Sequence, residues 1–358
     1  MARALALAAN GLETTSPNPR VGCVLIKDGD IVGEGWHRRA GEPHAEVNAL
    51  RMAGRAAQGA TAYVTLEPCS HFGRTPPCAD ALIEAGVARV VAAAEDPNPL
   101  VAGRGLARLR AAGIVAEHGL MQTEAHELNI GFMTRMTRGS PWLRMKSAST
   151  LDGKTALNNG TSQWITGEAA RRDGHRWRAR ACAILTGIGT VREDDPELTV
   201  RAVPCERQPL RILVDAKLDV SPRARILHGS PILIATANDD GPLIRSLEAD
   251  GHRILVLPNS TGKVHLPRLM QALAELGLNE VHAEAGLKLN GSLLREGCVD
   301  EFLLYVAPML VGDMAQGLFR LPELETLEDA MRLSIHDMRM IGDDLRIIAR
   351  PRRDHAGK

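Results

Sequence analysis

One histidine and two cysteines set the tightest limit on how this 358-residue chain can fold. His44 stands in His44-Ala45-Glu46, Cys69 follows Pro68, and eight residues separate Cys69 from Cys78. An imidazole and two thiolates are a zinc donor set. Three protein ligands leave a fourth tetrahedral position open for water, the arrangement of a catalytic rather than a structural site. Each residue alone has a plainer reading, a histidine capping a helix or a thiol buried as a small hydrophobe. Taken in order behind a strand and at helix starts, they demand a fold that carries all three to one point.

The surrounding pattern supplies the elements. Residues 1–10 predict a first helix ending at Gly11, and apolar runs at 21–26 and 31–36 flank Lys27-Asp28-Gly29-Asp30, whose Asp-Gly pair predicts a β-hairpin. After Pro43, residues 44–52 have helical spacing closed by Gly54. A strand is expected at 62–66, a helix at 78–85, a strand at 89–94, a helix at 105–112 and a strand at 114–117. Strands alternating with short helices give an α/β fold. The stretch 134–141, ending Gly139-Ser140-Pro141, is the expected linker between domains at 1–140 and 142–358. Beyond it, strands are expected at 143–149, 182–186, 211–214, 232–235, 254–257, 280–283 and 302–306, with helices at 168–180, 266–276 and 287–296. A hairpin at 333–349, turning at Gly342-Asp343-Asp344, closes the pattern before a polar tail.

Composition removes several functions. Lys plus Arg and Asp plus Glu both number 43, so no net field draws the chain to nucleic acid or to an anionic membrane. Aromatic residues are 3% of the chain, too few for a base-stacking platform. No apolar run approaches the ~20 residues of a membrane-spanning helix, and the opening stretch lacks the apolar core and cleavage site of a secretion signal. Six cysteines scattered over this length are no disulfide scaffold, so a reducing cytoplasm is expected.

In zinc nucleobase deaminases, an H-x-E pair and a Pro-Cys site hold the metal while the glutamate moves protons. Here His44-Ala45-Glu46 and Pro68-Cys69 fit, and the second cysteine lies farther away than in that pattern. Zinc lowers the pKa of bound water toward ~7, which makes hydroxide available to attack an amidine-like ring carbon. The full stretch Glu67-Pro68-Cys69-Ser70-His71-Phe72-Gly73-Arg74-Thr75-Pro76-Pro77-Cys78 closely resembles the bifunctional riboflavin biosynthesis proteins, a pyrimidine deaminase fused to a reductase. The wide cysteine spacing is that family's own form. Pro17-Asn18-Pro19, Val21-Gly22-Cys23, Gly41-Glu42-Pro43-His44-Ala45-Glu46 and Asp96-Pro97-Asn98-Pro99 match as well.

The resemblance implies a cytidine-deaminase-like α/β/α sandwich followed by a dihydrofolate-reductase-like α/β domain. It implies one zinc ion per deaminase site on His44, Cys69 and Cys78, with Glu46 as proton donor. The implied substrate is a small pyrimidine ribosyl phosphate, 2,5-diamino-6-ribosylamino-4(3H)-pyrimidinone 5′-phosphate. Its 2-amino group is replaced by oxygen, and NADPH then reduces the ribosyl side chain to ribityl. His71 and Arg74 fall in the loop between the cysteines, facing the ribose phosphate; Arg74 reads equally well as a solvated loop charge.

In the second half no G-x-G-x-x-G follows a strand, so a Rossmann dinucleotide site is not supported. Residues 286–292 read as a glycine-bounded turn between a strand and a helix, a phosphate-binding junction or an ordinary helix start. The resemblance continues through Ser149-Thr150-Leu151-Asp152-Gly153-Lys154-Thr155-Ala156, Ser162-Gln163-Trp164-Ile165-Thr166, the stretch from Gly189 to Arg201, and Glu284-Ala285-Gly286. By it, Ala148, Trp164, Thr190, Asp194, Ala216, Gly286, Leu287, Lys288, Leu289, Asn290, Gly291 and Ser292 line the cofactor. Ser162, Arg178, Leu198, Arg201 and Glu284 fall to the substrate, the two arginines having the fork geometry that suits a sugar phosphate. Lys146 and Asp194 read either as proton or charge partners of the reaction or as structural ion-pair members. The family also suggests a homo-oligomer. Two other readings stay open: a deaminase of another nucleotide or nucleic-acid base with an accessory domain, and a zinc-stabilised binding module. The first needs a basic face and the second a closed four-ligand metal site.

Overall fold

The computed structural model describes residues 1–70, 76–99 and 101–352. Two units divide the chain, Met1–Ser140 and Pro141–Lys358.

Glycines on two strands decide how the N-terminal unit is built. A Cβ on Gly22 would lie 2.0 Å from the Ala4 carbonyl oxygen, and one on Gly35 would lie 2.4 Å from that of Ala45. Without side chains there, helix backbones settle directly onto the strands. The order is α1 Ala2–Ala8, β1 Gly22–Lys27, β2 Asp30–Trp36, α2 Ala45–Ala53, β3 Thr61–Val64, α3 Cys78–Glu84 and β4 Arg89–Ala92. Then come α4 Arg104–Ala111, β5 Val115–His118, α5 Gln122–Leu128 and α6 Ile130–Arg138. The sheet runs β2-β1-β3-β4-β5, antiparallel around β1 and parallel from β3 to β5. The hairpin turns at Asp28 and Gly29, both with positive φ, as the Asp-Gly pair requires.

Strand alternation sorts the core into two layers. Cys23, Leu25, Ala62 and Val64 pack under α2, α3 and α4, whereas Val24 packs with Ala4 and Leu7 of α1. The result is an α/β/α sandwich. The expected linker shrinks, because residues 134–138 complete α6. Phe132, Met133 and Met136 bury one face of that helix, and its outward Thr134, Arg135, Thr137 and Arg138 gave the stretch its polar look. Gly139, at φ 68°, ends it.

In the C-terminal unit the order is β6 Trp142–Thr150, β7 Lys154–Ala156, α7 Glu168–Arg180, β8 Ala183–Gly187, α8 Ile188–Asp194, β9 Leu210–Val214, β10 Leu233–Thr236 and α9 Gly241–Ala249. β11 Arg253–Val256, α10 Leu266–Glu275, β12 Glu280–Ala283, α11 Leu287–Arg295, β13 Glu301–Ala307, β14 Gln316–Gly317, β15 Leu333–Ile341 and β16 Asp344–Pro351 follow. Nine strands form one sheet, β11-β10-β9-β8-β12-β6-β13-β16-β15, parallel from β11 to β13 and antiparallel through β16 and β15. One face, with Leu143, Met145, Val281 and Ala283, is covered by apolar residues of α10 and α11. The neighbouring register positions Arg144, Lys146, His282 and Glu284 give the other face its charge. Arg144, almost fully buried, pairs with Glu280 and Glu301 and lies 4.3 Å from the Trp177 ring of α7.

The segment read as a glycine-bounded turn at 286–292 is nearly all helix. Gly286 is the N-cap and Leu287 already opens α11. Gly291 is small for packing, since a Cβ there would lie 2.1 Å from the Arg320 carbonyl oxygen.

Candidate active sites

Two helix starts and one loop build the first site. His44 is the N-cap residue of α2, extended at ψ 166°, and Cys78 is the first residue of α3. Cys69 lies in the loop after β3, its carbonyl oxygen accepting from Ala79 N–H at 3.1 Å. His44 Nδ1 lies 3.2 Å from Cys78 Sγ and 3.7 Å from Cys69 Sγ, and the Cys78 N–H donates to Cys69 Sγ at 3.3 Å. All three donor atoms fall within 4.8 Å of one another, so one ion with bonds of about 2.0–2.3 Å reaches them together. No other such His, Cys, Asp and Glu group is found among the described residues. The donor chemistry and the spacing both fit zinc.

Glu46, the second residue of α2 and 3% exposed, faces the same point. Burial, and then the negative charge of Cys69, push its carboxyl up to about 7. The Cys78 thiol, and then the His44 ring, hold the Cys69 thiol far below its ordinary range, while Cys78 itself is pushed up. A cation placed between the two sulfurs would favour both thiolates. His37, also buried, meets the His44 ring edge-on at 5.1 Å and lies 3.0 Å from Asn18 Nδ2. Sequence reading passed over His37, and its only signal was the Pro17-Asn18-Pro19 stretch that places Asn18 beside it. His71 and Arg74 lie outside the described residues.

The second site is a cavity of about 430 Å³ past the carboxyl ends of β6, β8 and β12, where open parallel sheets bind ligands. It gathers Ala148, Ser162, Trp164, Arg178, Thr190, Asp194, Leu198, Arg201, Glu284, Gly286, Leu287 and Asn290 from the expected set, along with Lys146. Five expected residues lie elsewhere. The Ala216 carbonyl is taken by Thr236 Oγ1 and Ala237 N–H, and Leu289 packs against Gly187. Lys288 is exposed, Ser292 bonds the Lys288 carbonyl, and Gly291 serves the contact with Arg320. For the four on α11, helical periodicity is the reason: a helix starting at 287 turns only some of its residues toward any one ligand.

A clamp of charges forms the wall shared with a second cavity of about 450 Å³. Arg178 donates to both oxygens of Glu284, at 2.5 and 2.8 Å, and Lys146 Nζ stands 4.0 Å away. Burial alone would raise the Glu284 carboxyl, but Arg178 and Lys146 hold it well below the ordinary range. Burial lowers the Lys146 ammonium, against the pull of Glu284. The second cavity adds His175 and Tyr305, which the sequence did not point to. His175 is pushed down to about 4 by burial and then by Arg178 and Arg201, so it is neutral and accepts from the Arg201 N–H at 3.3 Å. Tyr305 donates to Asp173 at 2.7 Å. Trp164 is 64% exposed with Arg171 4.4 Å over its ring, an open wall rather than a core residue.

Known proteins align with both units. The family model of the cytidine and deoxycytidylate deaminase zinc-binding region matches residues 1–94, and that of the RibD C-terminal domain matches residues 141–347. The riboflavin biosynthesis protein RibD of Escherichia coli is 51% identical over 96% of both chains. That of Haemophilus influenzae is 45% identical, covering 98% of this chain and 96% of its own. Acinetobacter baumannii RibD superposes with a TM-score of 0.91 at 42% identity over 98% of each chain. A Thermotoga maritima structure, described as a diaminohydroxyphosphoribosylaminopyrimidine deaminase and 5-amino-6-(5-phosphoribosylamino)uracil reductase, does so at 0.87 and 32%, covering 98% of this chain and 97% of its own.

Proposed function

This chain belongs to the RibD family of riboflavin biosynthesis proteins, and from that premise we propose how its residues divide the two reactions between them. The protein is a zinc-dependent deaminase and an NADPH-dependent reductase in one chain. It deaminates 2,5-diamino-6-ribosylamino-4(3H)-pyrimidinone 5′-phosphate and then reduces the ribosyl side chain, giving 5-amino-6-ribitylaminouracil 5′-phosphate. Zinc, when bound, activates the water that replaces the amino group, and NADPH supplies the hydride.

In the N-terminal unit, residues 1–140, His44, Cys69 and Cys78 hold the zinc. Glu46 carries a proton from the attacking water to the ring nitrogen and then to the departing ammonia. Its support is geometric: Glu46 lies two residues past a ligand on the helix that the ligand caps. In the C-terminal unit, residues 142–358, the cofactor takes the side of the cavity formed by Ala148, Trp164, Thr190, Asp194 and the start of α11. There the free N–H groups of that helix meet phosphate. Gly286, Leu287 and Asn290 line it directly, whereas Lys288, Leu289, Gly291, Ser292 and Ala216 support it from outside. Ser162, Arg178, Leu198, Arg201 and Glu284 take the substrate. Lys146, kept beside Glu284, is placed to give its proton to the ring oxygen when the C1′–O bond breaks, as it would once bound NADPH delivered hydride to C1′.

Self-association and a cytoplasmic location belong to the same proposal. The edge strand β15 exposes Ile335, Met338 and Met340, a face suited to a second copy of the chain. No disulfide joins the six cysteines, which suits a reducing compartment. Among the described residues no helix is long and apolar enough to cross a membrane.

The observation that carries the division is the meeting of one histidine, two cysteines and a buried glutamate in the first unit, while the charged cavity of the second is lined by that unit's own residues. Removing zinc with dipicolinate tests it. Ammonia release from the diamino substrate is expected to stop while NADPH oxidation continues on the already deaminated compound; loss of both activities together would refute the division.

A further inference from the structure

Cys69 differs from the other two ligands in having no helix of its own. His44 caps α2 and Cys78 begins α3, but Cys69 sits in a loop. Two residues earlier, Glu67 is 3% exposed, and among the described residues its carboxylate is held by backbone rather than by an ion pair. It accepts four backbone N–H groups. One oxygen takes Asp96 at 3.2 Å and Gly103 at 2.9 Å, and the other takes Gly105 at 2.8 Å and Leu106 at 3.1 Å. Gly103, Gly105 and Leu106 are the open start of α4, whose N-cap Gly103 offers no side chain of its own, and Asp96 adds a donor from the loop after β4. Between Glu67 and Cys69, the Pro68 carbonyl oxygen presses onto Gly105 so closely that a Cβ there would lie 1.9 Å from it.

We propose that Glu67 is a positioning residue of the deaminase: by fastening the Glu67-Pro68-Cys69 loop to the start of α4, it fixes Cys69 Sγ where the zinc needs it. The inference rests on His44, Cys69 and Cys78 being the zinc ligands. A metal site tolerates displacements of only a few tenths of an ångström, and a loop ligand must borrow its rigidity from neighbouring structure. Two peptide bonds from Glu67 to Cys69, with a proline between them, leave little slack. Coupling of this kind is reciprocal, so zinc on Cys69 also holds Glu67 against α4.

The test uses the whole zinc-loaded enzyme. Glu67→Gln keeps the shape but turns one acceptor into an N–H₂ group facing N–H donors. It is expected to release zinc to a colorimetric chelator about 10- to 100-fold faster than wild type. It is also expected to shift the thiolate-to-cobalt absorption of the cobalt-substituted protein and to lower the deaminase kcat with KM little changed, reductase activity staying at the wild-type level. Wild-type zinc release and an unshifted cobalt spectrum, with only the melting temperature lowered, would overturn the inference. Cys69→Ser is the control for its premise. If Cys69→Ser loses zinc and Glu67→Gln does not, the positioning role fails alone. If Cys69→Ser keeps zinc as tightly as wild type, the ligand reading fails and takes the inference with it. Should Glu67→Gln not fold, amide hydrogen exchange on wild type decides. Zinc removal is expected to speed exchange at Gly103, Gly105 and Leu106 well beyond the amides of α5, and equal protection before and after removal would contradict the coupling.

Discussion

The zinc site is made by a short run of chain, and the reductase cavity by a long one. The donors and Glu46 all lie between residues 44 and 78, on two helix starts and one loop. The cavity draws on β6, the loop after β7, α7, the α8 region, the start of α11 and the strand at β14. Its rigidity comes from pairs between distant segments, such as Arg178 of α7 with Glu284 after β12. The first design concentrates function in a few side chains whose loss is total. The second spreads it over many contacts, most of which are individually replaceable.

The sharpest way to break that comparison is Glu46→Gln. Ammonia release should fall by about 10²- to 10⁴-fold, the usual worth of a positioned proton carrier, with reductase turnover untouched. A loss below tenfold would show that the function of the first site is spread as widely as that of the second.

Glu284→Gln probes the strongest single pair of the cavity. Leaving Arg178 without its partner should cost the C-terminal unit about 3 kcal/mol, read by urea unfolding at neutral pH. The pH dependence has a definite sign. Because Arg178 and Lys146 depress the Glu284 carboxyl below its unfolded value of about 4.3, its stabilisation is complete above that pH and is lost as pH falls through the depressed value. The variant should therefore show a flatter acid limb than wild type; an unchanged limb would mean that the pair adds nothing to folding.

Trp164→Ala sharpens the spread-out half of the comparison. The ring is mostly exposed, so stability should move by less than about 0.5 kcal/mol. KM for NADPH should rise about fivefold, corresponding to about 1 kcal/mol of ring stacking. Smallest of all is Lys288→Ala. Its side chain lies outside the cavity and only its backbone belongs to the helix start, so KM for NADPH should change by less than about twofold.

The same contrast explains what the sequence made legible. His44, Glu46, Cys69 and Cys78 were readable because their chemistry is rare and their order is local. The parallel strands of the second unit were readable because strands buried on both faces are short continuous apolar runs, such as 183–185 and 233–235. Elements whose pattern is diluted were missed. β7 and β14 are too short to show alternation, and α8 carries a glycine in its first turn. α6 looked like a linker because its outward face is polar. α9 went unread although Asp240 before Gly241-Pro242 is a start signal, and its side chain does accept from the Leu243 N–H. His175 and Tyr305 had no local signal, since their roles depend on neighbours on other segments, Arg201 for His175 and the distant Asp173 for Tyr305.

The central claim is that two independent sites act in a fixed order in one chain, and Glu46→Gln tests it most directly. The variant is supplied in turn with the diaminopyrimidinone phosphate and with its deaminated product, and NADPH oxidation is followed by the absorbance of the reduced nicotinamide. Oxidation at the wild-type rate with the deaminated compound, and none with its precursor, is the predicted result. Equal oxidation of both compounds would contradict the order, and oxidation of neither would contradict the independence of the two sites.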